Sequence, residues 1–178
     1  LRAIELDEGD ELVGTAITDG GQEVMLFSTS GKAIRFSEAD VRPMGRTARG
    51  VRGIKMSDGF RMIALIIPES DQYILSVSEN GYGKRTRSDE FPVYGRGGQG
   101  VIAMQASDRN GPIVGAAQVA DGDEIMLISD KGTLVRTRVD EVSIQGRNTQ
   151  GVRLIRLKDG EKLVGLEAVQ EPEQTLSK

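Results

Sequence analysis

The sequence predicts an all-β protein, a propeller-like array of repeated four-stranded blades. Three observations point there. Gly-Arg-x-x-x-Gly-Val begins at Gly45, Gly95 and Gly146, a recurrence of roughly 50 residues that marks a repeat architecture. Apolar residues run continuously or alternate, and no stretch holds the helical period of about 3.6. Glycine is abundant, at 23 of 178 residues, and aromatics are scarce at 4%, as in a turn-rich β protein.

The chain opens on "LRAIELDEGDELVGTAIT", which aligns with "VRLIRLKDGEKLVGLEAV" so that Leu1 matches Val152 and Gly14 matches Gly165. Residues 1–20 therefore read as part of a blade whose own box lies upstream, in an array that has been cut. Next, "EVMLFSTSGKAIRF" (23–36), "QYILSVSENGYGKR" (72–85) and "EIMLISDKGTLVRT" (124–137) each read as a β-hairpin. Val24–Ser28 and Ile125–Ser129 are rich in β-formers and end in turns whose glycine takes a positive φ cheaply. The distance from turn glycine to box glycine is the same in all three: Gly31 to Gly45, Gly81 to Gly95, Gly132 to Gly146. After each box a second hairpin is expected, turning at Ser57-Asp58-Gly59 or Lys158-Asp159-Gly160.

Two hairpins make four strands per unit. A four-stranded sheet cannot cover both its faces alone, so units stack radially or in a line, with roughly 3.5 blades present. Residues 1–170 are thus expected to be one domain, with boxes at 45–51, 95–101 and 146–152. Residues 171–178 are expected to be a disordered polar tail. Kelch-type blades share the spacing, but their paired-glycine and aromatic signatures are missing.

Composition narrows the chemistry. The chain has no cysteine and no histidine, which removes disulfides, thiolate metal sites and the commonest general base and metal ligand. No catalytic residue and no metal site is expected. No apolar run is long enough to span a membrane and no segment reads as a signal peptide, so no membrane partner is expected.

Net charge is −4, yet the charges are segregated by repeat phase. From Lys32 to Lys55 stand Lys32, Arg35, Arg42, Arg46, Arg49, Arg52 and Lys55, against Glu38 and Asp40. From Lys131 to Lys158 stand Lys131, Arg136, Arg138, Arg147, Arg153, Arg156 and Lys158, against Asp140 and Glu141. The middle unit carries Lys84, Arg85, Arg87 and Arg96 against Asp89 and Glu90. Acids collect in the other phase, at Glu5 to Glu11, Asp121 to Glu124 and Asp159 to Glu173. Arg35, Arg85 and Arg136 align, as do Arg46, Arg96 and Arg147.

A positive rim with blade spacing suits a regularly charged polyanion, and duplex DNA fits that description. Of the 23 basic residues 16 are arginine and 7 lysine, the balance expected where forked phosphate contacts matter. The expected DNA-contacting set is Lys32, Arg35, Arg46, Arg49, Lys55, Lys84, Arg85, Arg87, Arg96, Lys131, Arg136, Arg138, Arg147 and Arg156. A second role is open to the box arginines, that of bracing neighbouring blades while the glycines permit tight turns.

"NGYGKRT" (80–86), "GTLVRTR" (132–138) and "GRNTQGV" (146–152) resemble the C-terminal domain of the DNA gyrase A subunit, and the likeness runs from Leu1 to about Glu171. The resemblance implies a β-pinwheel whose blades exchange strands, and a basic rim that bends DNA so that the holoenzyme introduces negative supercoils. It implies double-stranded DNA, read without sequence preference, as one partner. The rest of gyrase A and the gyrase B subunit, in a heterotetramer of two A and two B subunits, are the others. It also implies a cytoplasmic, nucleoid-associated location, with ATP and magnesium used elsewhere in the holoenzyme and no cofactor in this fragment. The family's hallmark box is Gln-Arg-Arg-Gly-Gly-Lys-Gly. Tyr94 to Gly100 keeps its second arginine and all three glycines, Met44 to Gly50 keeps Arg46, a basic Arg49 and Gly50, and Gln145 to Gly151 keeps Gln145, Arg147 and Gly151. These resemble the degenerate boxes of later blades. The topoisomerase IV counterpart is the alternative within this class, and a propeller-type protein-interaction module is the alternative outside it.

Other motifs lead nowhere. Gly95-Arg-Gly97-Gly-Gln-Gly100 satisfies G-x-G-x-x-G but precedes "VIAMQA", a strand where a dinucleotide fingerprint needs a helix. Asp121-Gly-Asp123-Glu124 lacks the spacing of a calcium loop. Tyr73 reads as core, whereas Tyr82 and Tyr94 are each open to packing or to DNA. None of the three corresponds to a topoisomerase's cleaving tyrosine, which belongs to another domain of the family.

Overall fold

The computed structural model describes residues 2–169, so the expected tail at 171–178 lies outside the described residues. Eleven strands form three antiparallel sheets. The first contains β1 (Glu23–Ser28), β2 (Lys32–Ser37), β3 (Met62–Ile66) and β6 (Val101–Ile102), in the order β3-β1-β2-β6. The second, in the order β10-β5-β4-β7, contains β4 (Tyr73–Ser78), β5 (Tyr82–Arg87), β7 (Ile113–Val119) and β10 (Val152–Arg153). The third has three strands, β11-β8-β9: β8 (Glu124–Ser129), β9 (Leu134–Arg138) and β11 (Leu163–Val169).

The first hairpin of each unit forms as expected, with registers such as Leu26 opposite Ile34, Leu75 opposite Arg85 and Met126 opposite Arg136. The second expected hairpin does not. Its two halves part company: β6 pairs with β2 of the preceding unit, whereas β7 crosses back to β4 of its own. β10 and β11 repeat that split, with β10 on β5 and β11 on β8. Neighbouring units are therefore laced together by an exchanged two-residue strand. Alternating hydrophobicity reports which face a strand buries, not which edge it joins, so sequence period alone could not distinguish these pairings.

Two cores lie between the sheets. Met25, Phe27 and Ile66 meet Ile74, Phe91 and Ala103 between the first and second sheets, with the Phe27 and Phe91 rings edge to face at 6.0 Å. Leu75, Val77 and Val119 meet Ile125, Leu127, Val142 and Leu163 between the second and third. Alternation divides the work: Met25 and Phe27 face one side of β1, while Leu26 joins Ile34, Phe36 and Ile54 on the other. Each such burial is worth about 1.5–3 kcal/mol, so these two interfaces dominate the stability of the array.

Residues 2–20 form no strand, and Ile17 is fully exposed. In repeat register Leu12–Thr18 corresponds to β11, which forms only by pairing with the first hairpin of its unit. Among the described residues no hairpin edge pairs with it. The partial blade is thus a stretch of sequence without a sheet. Three short 3-10 turns, Glu38–Asp40, Ser88–Glu90 and Val139–Glu141, follow the hairpins at equivalent places. Elements of three residues leave no periodic signal.

Candidate nucleic-acid interface

The second and third boxes are loops with both feet on the previous unit. At the second box, Val93 bridges Arg35 and the Tyr94 N–H donates to the Arg35 carbonyl at 2.8 Å. The far foot is β6, with Val101 opposite Ala33. The third box repeats this on β5: Ile144 bridges Arg85, the Gln145 N–H donates to the Arg85 carbonyl at 2.8 Å, and Val152 lies opposite Gly83. The closing glycine makes the close approach possible. A Cβ on Gly100 would sit 2.1 Å from the Ala33 oxygen and one on Gly151 2.5 Å from the Gly83 oxygen, and both residues have positive φ (70° and 74°). Gly50, which closes the first box, has nothing within 4 Å of such a Cβ, and no described strand lies beneath its box.

A second contact recurs above the feet. The fourth box residue accepts from a backbone N–H of the unit before it: Lys55 to Gly98 at 2.8 Å, Gln105 to Thr149 at 2.8 Å, and Glu5 to Ala48 at 3.4 Å. Box arginines add a third. Arg96 donates from Nη1 to the Arg52 carbonyl at 2.5 Å and from Nε to the Asp40 carbonyl at 2.9 Å, and Arg147 donates from Nη1 to the Ile102 carbonyl at 3.1 Å. Arg52 and Ile102 are equivalent positions, so the brace is part of the repeat. Bracing runs through carbonyls rather than through the nearby acids, and leaves other guanidinium N–H groups without a partner among the described residues. Arg46, in the box without a platform, is exposed and makes no such contact.

The second aligned row turns inward. Arg35 donates to Glu23 and to the Ser88 and Phe91 carbonyls; Arg85 donates from Nε to the Val142 carbonyl at 2.7 Å, reaches Asp121, and lies 4.8 Å from the Tyr73 ring centre. Phe91 and Val142 are equivalent, so these arginines tie each blade to the next. Arg136 reaches no neighbouring unit among the described residues; it pairs with Glu124 and stays exposed. Lys84 is fully buried, its Nζ on the Gly146 and Arg147 carbonyls and on Thr149. Burial pulls its ammonium down to about 8, with Glu90 opposing and Arg147 reinforcing the shift. Lys84 and Arg85, expected from sequence to face DNA, are therefore buried with their donors turned to protein oxygens, and Arg35 is half-buried in the same way. Charge counted by repeat phase is blind to which way a side chain points.

The remaining expected residues stay accessible. Lys32, Lys55 and Arg156 have no ion pair among the described residues, and Lys131 donates to the Asp159 carbonyl. Arg49, Arg87 and Arg138 pair with Asp7, Asp89 and Asp140. These pairs are exposed and cheap to exchange for a phosphate. The Arg87–Asp89 hydrogen bond holds Asp89 below the usual carboxylate range and Arg87 above its own.

Two further arginines join them. The Arg109 guanidinium lies 4.2 Å from the Tyr82 ring centre and that of Arg153 5.5 Å away, with Arg153 Nη2 donating to the Tyr82 hydroxyl at 2.9 Å. Arg109 also donates to the Gln150 and Gly151 carbonyls of the third box. Its signal in the sequence was the turn "SDRNG", two residues longer than "SDG" or "KDG" elsewhere. Tyr82 is thus a packing platform for two arginines at the blade junction. Tyr94 is 52% exposed beside the second box.

Known proteins agree with this geometry. The sequence profile of the family described as "DNA gyrase C-terminal domain, beta-propeller" matches residues 1–19, 22–67, 72–120 and 123–170, the partial blade and three units in turn. The chain belongs to this family. The DNA gyrase A protein of Pseudomonas aeruginosa is 63% identical over 172 residues, covering 97% of this chain and 19% of that protein. Its Escherichia coli K12 counterpart is 54% identical over 170 residues, again 19% of its length. The chain thus spans about a fifth of these relatives. A solved DNA gyrase A C-terminal domain superposes with a TM-score of 0.84 at 30% identity, covering 93% of this chain and 57% of that one. The C-terminal domain of DNA topoisomerase IV superposes at 0.88 with 24% identity, covering 94% and 53%, a likeness of fold alone. As expected from sequence, this member of the gyrase C-terminal domain family is all-β, built of pinwheel blades that exchange strands. No helix among the described residues is long and apolar enough to cross a membrane.

Proposed function

We propose that this chain is a distal part of the DNA-wrapping domain of gyrase A, binding duplex DNA without sequence preference and carrying no catalytic group itself. The supporting observation is the repeated box. Two successive loops stand on the preceding unit by the same feet, so their arginines recur in one orientation at blade spacing. Lys32, Lys55, Arg109, Arg153 and Arg156 lie exposed or half-exposed around the same junctions. Phosphates at regular spacing on a bent duplex are met by cations at regular spacing on the protein. Strand cleavage, ATP and magnesium belong to other parts of the enzyme, a heterotetramer with gyrase B in the cytoplasm. In that assembly this domain would hold the DNA segment that is bent towards the crossing.

Binding to a random-sequence duplex of ~40 bp across a salt series tests the reading. A log–log slope of several units, insensitive to sequence, is expected. A chain that binds no duplex at low salt contradicts it.

A further inference from the structure

The residue beneath each box differs from unit to unit. It is Ile34 in β2 under the second box and Lys84 in β5 under the third; Val135 holds the same register in β9, where no described box stands. A lysine at a core position, with no exposed surface, needs a reason.

The reason lies in the loop above it. At the second box Ile34 faces Gly98, its Cδ1 3.8 Å from where a Cβ on that glycine would be. At the third box the same position is Thr149, and Asn148 replaces Gly97. Lys84 Nζ donates to the Gly146 carbonyl at 2.6 Å, the Arg147 carbonyl at 2.5 Å and Thr149 Oγ1 at 2.9 Å, which uses all three ammonium protons. Thr149 Oγ1 donates in turn to the Gly146 carbonyl at 2.9 Å. The loop with fewer glycines is held by a cation inside it, and the glycine-rich loop rests on a methyl.

We propose that Lys84 is the positioning residue of the third box, matched to Thr149 as Ile34 is matched to Gly98, and that it sets the loop geometry from which Arg147 meets DNA. The proposal rests on the DNA-binding reading above. Lys84 therefore serves the interface from beneath rather than by touching phosphate.

The test compares wild type, Lys84→Ile, Thr149→Val and Lys84→Ile/Thr149→Gly, which rebuilds the pair of the preceding junction. Two quantities are followed on the folded chain: amide exchange at 146–151 and affinity for a random-sequence duplex. Lys84→Ile is expected to speed exchange about tenfold and weaken DNA binding about three- to tenfold, with the double variant returning both to within about twofold of wild type. Thr149→Val, which removes one acceptor of Lys84 and the hydroxyl bond to the Gly146 carbonyl, is expected to weaken binding about twofold and remains informative if Lys84→Ile fails to fold. Unchanged affinity in whichever single variant folds overturns the positioning role, and so does a folded double variant that is no better than Lys84→Ile. Wild type that binds no duplex overturns the DNA reading instead, and amide exchange then decides the clamp by itself.

Discussion

Arg96 donates to the carbonyl of Arg52 at 2.5 Å, and one unit later Arg147 makes the equivalent bond to Ile102 at 3.1 Å. A residue that sequence marks as a phosphate ligand is thus also a strut between blades. The two roles are compatible because a guanidinium has five donors and the struts use one or two.

Removing a strut should cost stability only where the strut exists. Arg96→Ala is expected to lose about 1–2 kcal/mol, lowering Tm by ~3–8 °C, since it abandons two carbonyls. Arg46→Ala, with no such contact, should stay within about 0.5 kcal/mol of wild type. Thermal unfolding of the two variants side by side decides this.

The inward arginine row should behave in the same graded way. Arg85→Ala empties a buried site and leaves the Val142 carbonyl unmet, so a loss of about 2–4 kcal/mol is expected. Arg136→Ala breaks only an exposed pair and should cost about 0–1 kcal/mol. Urea midpoints for both variants, at equal slope m, check the difference.

Closing glycines should differ by whether their box has a platform. Gly151→Ala forces a Cβ against the Gly83 carbonyl at positive φ, and about 3 kcal/mol or more should be lost. Gly50→Ala meets open space and should cost only the ~1 kcal/mol of its backbone conformation. Denaturant titration of the two variants measures the gap.

Glu161 supplies a pH signature. Its carboxylate accepts from Ser129, Thr133 and the Lys158 N–H, and these bonds hold it down to about 2 from an ordinary 4.5. The folded state binds its proton less readily than the unfolded chain, so its contribution is complete above pH 4.5. It disappears as pH falls from there towards 2. Glu161→Gln should therefore be less stable than wild type at pH 7, with the two curves converging at the acid end. A difference that persists unchanged at pH 2 contradicts the assignment.

The repeat, the first hairpins and the box turns were legible because glycine spacing and alternating apolar residues are written directly in the chain. Strand exchange was not legible from pattern: Val101 and Ile113 sit in one stretch of sequence yet join different sheets. The sorting of basic residues was the harder case. Arg35 and Arg46 look alike by type and periodicity, and only the presence of the next unit's carbonyls turns the first inward. Arg109 and Arg153 are drawn together by Tyr82, which lies against both and is distant from Arg109 in sequence. Residues 2–20 show the converse, a strand sequence without a strand, since β-structure needs a partner edge.

The most direct test of DNA placement along these junctions is residue-resolved salt dependence of duplex binding. Wild type, Lys55→Ala, Arg153→Ala, Arg156→Ala and Arg35→Ala would be titrated against one random duplex. The accessible three should each lower the slope of log K against log salt by about 0.9, with Tm unchanged in Lys55→Ala and Arg156→Ala and slightly lowered in Arg153→Ala, which gives up its contact with Tyr82, while Arg35→Ala lowers Tm and leaves the slope of the folded chain intact. Equal slopes in wild type and in all three accessible variants would contradict that placement.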